Sequence, residues 1–176
     1  MAELLLIFRD ICRLKRGPQD LPYAPHLLVA LLVVDLALDI GFAAFQGRAG
    51  DVAWRSLAGT AVSLGLLYAL LQSRGFGSRF VQTATAAVGT GVLVTALALP
   101  LLLAIGEPPA TPQQLTGTQI LLTWALLALL VWKLLIDANI LRHALELPLP
   151  VTLLIALVWI ILVRLMFAGG GGGASA

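Results

Sequence analysis

Two carboxylates four residues apart, Asp35 and Asp39, stand inside the apolar stretch "HLLVALLVVDLALDIGF". That spacing is about one helical turn, so the two share a face. Acids placed in this way can pass protons, or they can neutralise a cation on a neighbouring helix. Either role turns them towards a partner or a water-filled path and away from lipid. The cations that could answer them are Lys133, with Asp137 four residues further on, and Arg164. Depth matches them. From the edge of the apolar layer that carries most of the cations, Asp35 lies ~16 Å in, Asp39 and Arg164 ~22 Å, and Lys133 ~10 Å with a flexible stem. The spacing therefore predicts Asp39 with Arg164 and Asp35 with Lys133, a clamp between three apolar runs. A proton or ion relay through the same acids is the alternative. The clamp is favoured because every acid has a cation at its depth, whereas a relay leaves an acid free to titrate.

Other chemistry is sparse. The chain has no HExxH, GxSxG or P-loop pattern. "DANILRH", residues 137–143, gathers Asp137, Arg142 and His143, but a solvated helix end uses such groups equally well, and no catalytic residue is assigned. The single cysteine, Cys12, excludes an internal disulfide and a cysteine-based metal cluster. His26 and His143 lack ligand spacing, so neither a metal nor a cofactor is expected. Basic residues do not alternate with stacking aromatics, which argues against a nucleic-acid partner.

The elements that must hold these residues follow from hydropathy. The 176 residues are 60% hydrophobic and 11% charged, with net charge +2 and mean hydropathy +0.98. Soluble domains carry about 25% charged residues, and a small domain cannot hide such a deficit in one core. Five apolar runs, about 24–45, 54–72, 80–105, 118–140 and 149–168, are each long enough for a ~30 Å hydrocarbon layer. Lipid offers the backbone no partners, and the alternation of a β-barrel is absent, so the runs are expected to be helices. The third run is long enough to tilt, and Pro100 is where it would break.

The fold class predicted is an all-α membrane protein: a five-helix transmembrane bundle over 17–168 with an N-terminal amphipathic interfacial helix over 1–16. In that first segment Leu4, Ile7, Phe8, Ile11 and Leu14 share one face. Arg9, Arg13 and Arg16, with Lys15 beside them, point to anionic headgroups. Small residues at i+4 steps, Thr83, Ala87, Gly91 and Thr95 on run three and Ala61, Gly65 and Ala69 on run two, predict close helix packing. The tail 169–176, within "AGGGGGASA", reads as a flexible linker or a scar of cloning and is left out of the fold.

Cations fall mostly on one side. Arg9, Arg13, Lys15, Arg16, Arg74, Arg79 and Arg142 group together if the runs alternate, while the loop 106–117 has none. The expected topology is N-terminus cytoplasmic and C-terminus periplasmic. Arginine outnumbers lysine nine to two and Ala and Leu dominate, which suggests a GC-rich bacterial genome, and with helical spans the expected location is the bacterial inner membrane.

The segment "QDLPYAP" before the first run, "ATAAVGTG" in the third and the five-run layout along 17–168 resemble the Yip1-like family of small multi-span proteins. Asp20–Pro25, "DLPYAP", departs from the "DLYGP" of its eukaryotic members. The resemblance implies a non-enzymatic, membrane-organising or trafficking-associated role with partners in the bilayer. Three functions are weighed. A scaffold or accessory subunit binding membrane lipids, another membrane protein or a second copy of itself leads. A small proton- or ion-coupled transporter using the Asp pair follows, and a lipid-modifying enzyme is third.

Topology is directly testable. In a variant lacking Cys12, a cysteine at residue 112 is expected to react from the periplasmic side only; reaction from the cytoplasmic side alone would reverse the assignment.

Overall fold

The computed structural model describes residues 2–45, 49–106 and 116–168, apart from the side chains at 2, 45, 49–51, 164 and 166–168. All regular structure among them is helical: α1 (Ala2–Cys12), α2 (Pro25–Phe45), α3 (Ala49–Ser73), α4 (Phe80–Ile105), α5 (Gly117–Leu145) and α6 (Leu149–Ala168), with 3-10 turns at Pro18–Asp20 and Gly77–Arg79. Four stretches are long and apolar enough to cross a membrane: Pro25–Ala44, Val52–Ser73, Gly77–Ile105 and Gly117–Leu145. α6 is also apolar over Leu149–Val163, within a helix of 20 residues.

The breaks have local causes. α3 ends in a Schellman arrangement: Gly75 takes φ +77° and the Phe76 amide bonds back to the Leu71 carbonyl at 2.8 Å. α5 begins at a reciprocal cap, the Gln119 amide donating to Thr116 Oγ1 and the Thr116 amide to Gln119 Oε1. It ends where Glu146 turns left-handed and its carboxylate takes Arg79 at 2.9 Å. α4 passes through Pro100 without a break. A proline in a span is tolerated because neighbouring groups make good the missing bond.

α4 is the axis of the fold. It packs against α1, α2, α3 and α5, while α6 leans on α5 and α3. Its inner face is small: Thr83, Ala84, Thr85, Ala86, Gly89 and Thr90 are all buried. The buried hydroxyls return to their own helix, Thr83 to the Arg79 carbonyl, Thr85 to Val81 and Thr90 to Ala86, each within 2.8 Å. None of these oxygens is left without a partner in a dry interior.

The N-terminal segment departs from expectation. α1 stops at Cys12, where the Lys15 amide reaches the Asp10 carbonyl and Leu14 adopts φ +61°. Leu14, placed by periodicity on the apolar face, is therefore exposed. Phe8, Ile11 and Cys12 are buried with Leu21, Ala86, Ile136 and Ile140, and Leu4 and Ile7 pack at the edge of that cluster. The face expected to lie in acyl chains thus meets protein. Phe8 fills a gap over Gly89, where an added Cβ would stand 2.3 Å from the ring and 3.2 Å from Leu31. Gly89 is ~14 Å along α4 from Phe80 at the helical rise, so α1 lies beside the spans and not beneath them. Arg9, Arg13, Lys15 and Arg16 remain exposed. Three side chains hold this segment by its carbonyls: Trp132 on Cys12 at 3.0 Å, Asn139 on Arg16 at 3.3 Å and Gln82 on Leu21 at 2.7 Å.

Gly89→Leu should therefore expel Phe8, since overpacking typically costs about 1–3 kcal/mol, and the loosened element should be α1. Burial pushes the Cys12 thiol above its usual range, with Lys133 acting weakly the other way, so alkylation of the native protein is slow. Faster alkylation of Cys12 in Gly89→Leu, with the bundle still monodisperse in detergent, is the expected result.

Candidate functional site

The residues singled out for chemistry come from α2, α5 and α6. Helical spacing puts Lys133 and Asp137 one turn apart on α5, and their charged groups are in direct contact. Both are largely enclosed, with side-chain exposures of 20% and 25%. Lys133 has room because the facing position on α4 is Gly91: an added Cβ there would lie 3.8 Å from the lysine stem. The same ammonium is near enough to act electrostatically on Asp35 of α2 and on Cys12 of α1. Lys133 thus has Asp137 as its contact partner and acts on Asp35 only through space, without an ion pair.

Asp39 is occupied otherwise. Its Oδ2 accepts a hydrogen bond from Ser56 Oγ of α3. Of the clamp expected between runs one, four and five, the ion pair of Asp35 with Lys133 does not form among the described residues, the lysine being taken by Asp137. α2 packs on α3 and α4, α5 packs on α4 and α6, and α2 and α6 share no extended seam. The side chain of Arg164, the cation expected to meet Asp39, lies outside the described residues. The lysine takes the acid of its own helix because an i,i+4 contact forms without crossing a neighbour.

The small-residue stripes divide. On α4, Thr83 is buried and Ala87, Gly91 and Thr95 are partly so, with Gly91 facing α5. On α3, Ala61, Gly65 and Ala69 are exposed, and nothing stands within 4 Å of a Cβ at Gly65. That second stripe makes no packing seam within this chain, because α3 turns Leu67 and Leu71 inward instead. Asp137, Arg142 and His143 do not converge. Arg142 is exposed, and His143 Nδ1 lies 2.8 Å from the Asn139 carbonyl of its own helix, the tautomer with Nδ1–H donating to it.

Periodicity did not single out Gln82, Asn139 and Trp132, the three anchors of the N-terminal segment. Isolated amides within otherwise apolar runs were the available signal, because a buried amide needs a partner. Of the "QDLPYAP" segment, Asp20 accepts the Gly17 amide at 3.2 Å and Leu21 is buried. Its role in this fold is to seat the chain against α4.

Such a fold and site define a multi-pass α-helical membrane protein with an enclosed charge cluster. Compared with known families, curated proteins and solved structures, the chain matches none.

The pairing has an energetic signature. Lys133→Met leaves Asp137 and Asp35 without their cation, and removing one partner of a buried pair costs about 3–5 kcal/mol. The variant should be clearly less stable in detergent than the wild type. Lys133→Met with Asp137→Asn should be milder than the sum of the singles. Strict additivity in that cycle would mean the contact carries no coupling. Asp39→Asn keeps an acceptor for Ser56 and should cost little, whereas Asp39→Leu removes it.

Proposed function

We propose that this chain is a small bacterial inner-membrane scaffold or accessory subunit that binds lipids and a membrane-protein partner or a second copy of itself. It crosses five times, α6 being the last span, with the N-terminus cytoplasmic and the C-terminus periplasmic. The fifth crossing is supported by the packing of α6 along α5 and α3. The orientation is supported by the grouping of cations at one end: Arg79 reaches Glu146 and the Ala144 carbonyl, and Asn139 reaches the Arg16 carbonyl. The resemblance to the Yip1-like family points to the same non-enzymatic role.

One observation carries the reading. Lys133 is engaged by Asp137 and Asp39 by Ser56, while the outward faces are apolar. Two shallow grooves, on the outer side of α5 and between α3 and α6, are lined by apolar residues and contain none of the acids. A coupled transporter needs an acid that meets water along a path. Contact with other membrane components is what such a surface does.

Reconstitution separates the alternatives. In vesicles loaded with a pH-sensitive dye, the protein is expected to leave potential-driven proton entry at the level of empty vesicles. Proton entry that Asp35→Asn abolishes would replace the scaffold with the transporter.

A further inference from the structure

The outer face of α5 and the end of α1 meet at one side chain. Trp132 donates its indole N–H to the Cys12 carbonyl, and its ring also lines an apolar groove with Trp124, Leu127, Ala128, Val131 and Leu135. These positions form one face of α5, with Trp124, Leu127 and Val131 exposed. From Trp124 to Leu135 the groove runs ~16 Å, close to half the ~30 Å thickness of a hydrocarbon layer.

Charge is concentrated at the groove's Trp132 end. Directly after Cys12 come Arg13, Lys15 and Arg16, all exposed. Asp10, the acid of this stretch, is already taken by Arg9 at 3.0 Å and Arg16 at 3.5 Å. Arg13 and Lys15 make no ion pair among the described residues, so their charge faces outward unanswered. The chain then runs to Asn139, which holds the Arg16 carbonyl, so these cations sit between the groove and the basic end of the bundle.

We propose that the α5 groove and the Arg13–Lys15 cations form one binding site for an anionic phospholipid. An acyl chain lies along the face from Trp132 to Trp124, and the phosphate meets Arg13 and Lys15. Charge argues for this occupant: two unanswered cations follow directly on Cys12, whose carbonyl Trp132 holds at the inner end of the groove. A partner helix would fill the groove but leave the two cations unanswered. The site deepens the lipid-binding arm of the proposed function and rests on the chain's insertion in a bilayer.

Quenching by brominated lipid tests it on the full chain. A Trp54→Phe, Trp159→Phe variant keeps Trp124 and Trp132 as reporters. Its fluorescence is compared in vesicles holding a minor fraction of brominated phosphatidylglycerol in phosphatidylcholine, and in the converse mixture. Co-flotation with the vesicles confirms insertion in each case. The anionic lipid should be preferred by about fivefold for each engaged cation, from the attraction of a basic residue near a charged headgroup. Arg13→Gln with Lys15→Gln should bring the two lipids level, and Ala128→Leu, which fills the groove, should weaken quenching by the anionic lipid. Equal quenching by both lipids in the floated starting protein overturns the site and returns the groove to a partner helix or bulk lipid. A preference unchanged by the Arg13/Lys15 variant overturns it as well. Should a variant fail to insert, adducts retained by the wild-type chain in native mass spectrometry, phosphatidylglycerol against phosphatidylcholine with the same chains, decide by the same rule. Neither readout involves proton entry, so loss of the lipid site and loss of the scaffold reading are separate results.

Discussion

The bundle depends on how closely helices can approach α4. In lipid, apolar side chains gain little by leaving their surroundings for one another, so association rests on packing contact. Contact improves when the axis helix is thin. α4 presents alanines, threonines and Gly89 inward, and its neighbours insert their larger groups into that face: Phe8 from α1, Leu31 from α2 and the stem of Lys133 from α5. The threonines are compatible with a dry interior because each hydroxyl is closed onto its own helix. Every other placement in the interior follows from that thinness, including the position of the lysine.

An ionic group in a span is tolerable when its counter-charge travels with it. Lys133 and Asp137 belong to one helix, so α5 carries them as a neutral unit before any neighbour is in place. Gly91 then lets that unit approach α4, which brings the ammonium near Asp35. A clamp between helices would assemble only at the end of folding and would leave each span charged on insertion. Hydrocarbon penalises that state, since a lone charge at mid-bilayer costs about 2.5–3.5 kcal/mol on insertion scales. Asp39 is met differently, by the hydroxyl of Ser56 on the neighbouring α3.

α1 shows how an amphipathic pattern can be read two ways. A face of Leu, Ile and Phe with arginines opposite suits a membrane surface and suits a groove in protein equally well, because both are apolar on one side. What decides between them is carbonyl capture. The residues from Cys12 to Leu21 leave regular helix, and their carbonyls need donors; Trp132, Asn139 and Gln82 supply three. A backbone held at these points places Phe8 over Gly89 and leaves the basic residues outward.

Run length and polarity alone determined that the chain is helical, that helices start or stop near 25, 45, 73, 80, 105, 118 and 149, and that it is a multi-pass membrane protein, whereas α5 runs on to Leu145, past the expected end near 140. Those features follow from each segment's own need to close its backbone bonds in lipid. Periodicity also marked the α4 stripe and the one-turn spacing of Lys133 and Asp137, though depth matching gave Lys133 to Asp35 instead. Partners between helices were decided by tertiary structure. Asp39 meeting Ser56, Phe8 meeting Gly89 and the outward turn of Ala61 and Gly65 depend on how each helix is rotated about its axis. A helix apolar on all sides gives no preference for that rotation. Only the shapes of its neighbours, brought together by α4, set which face looks inward.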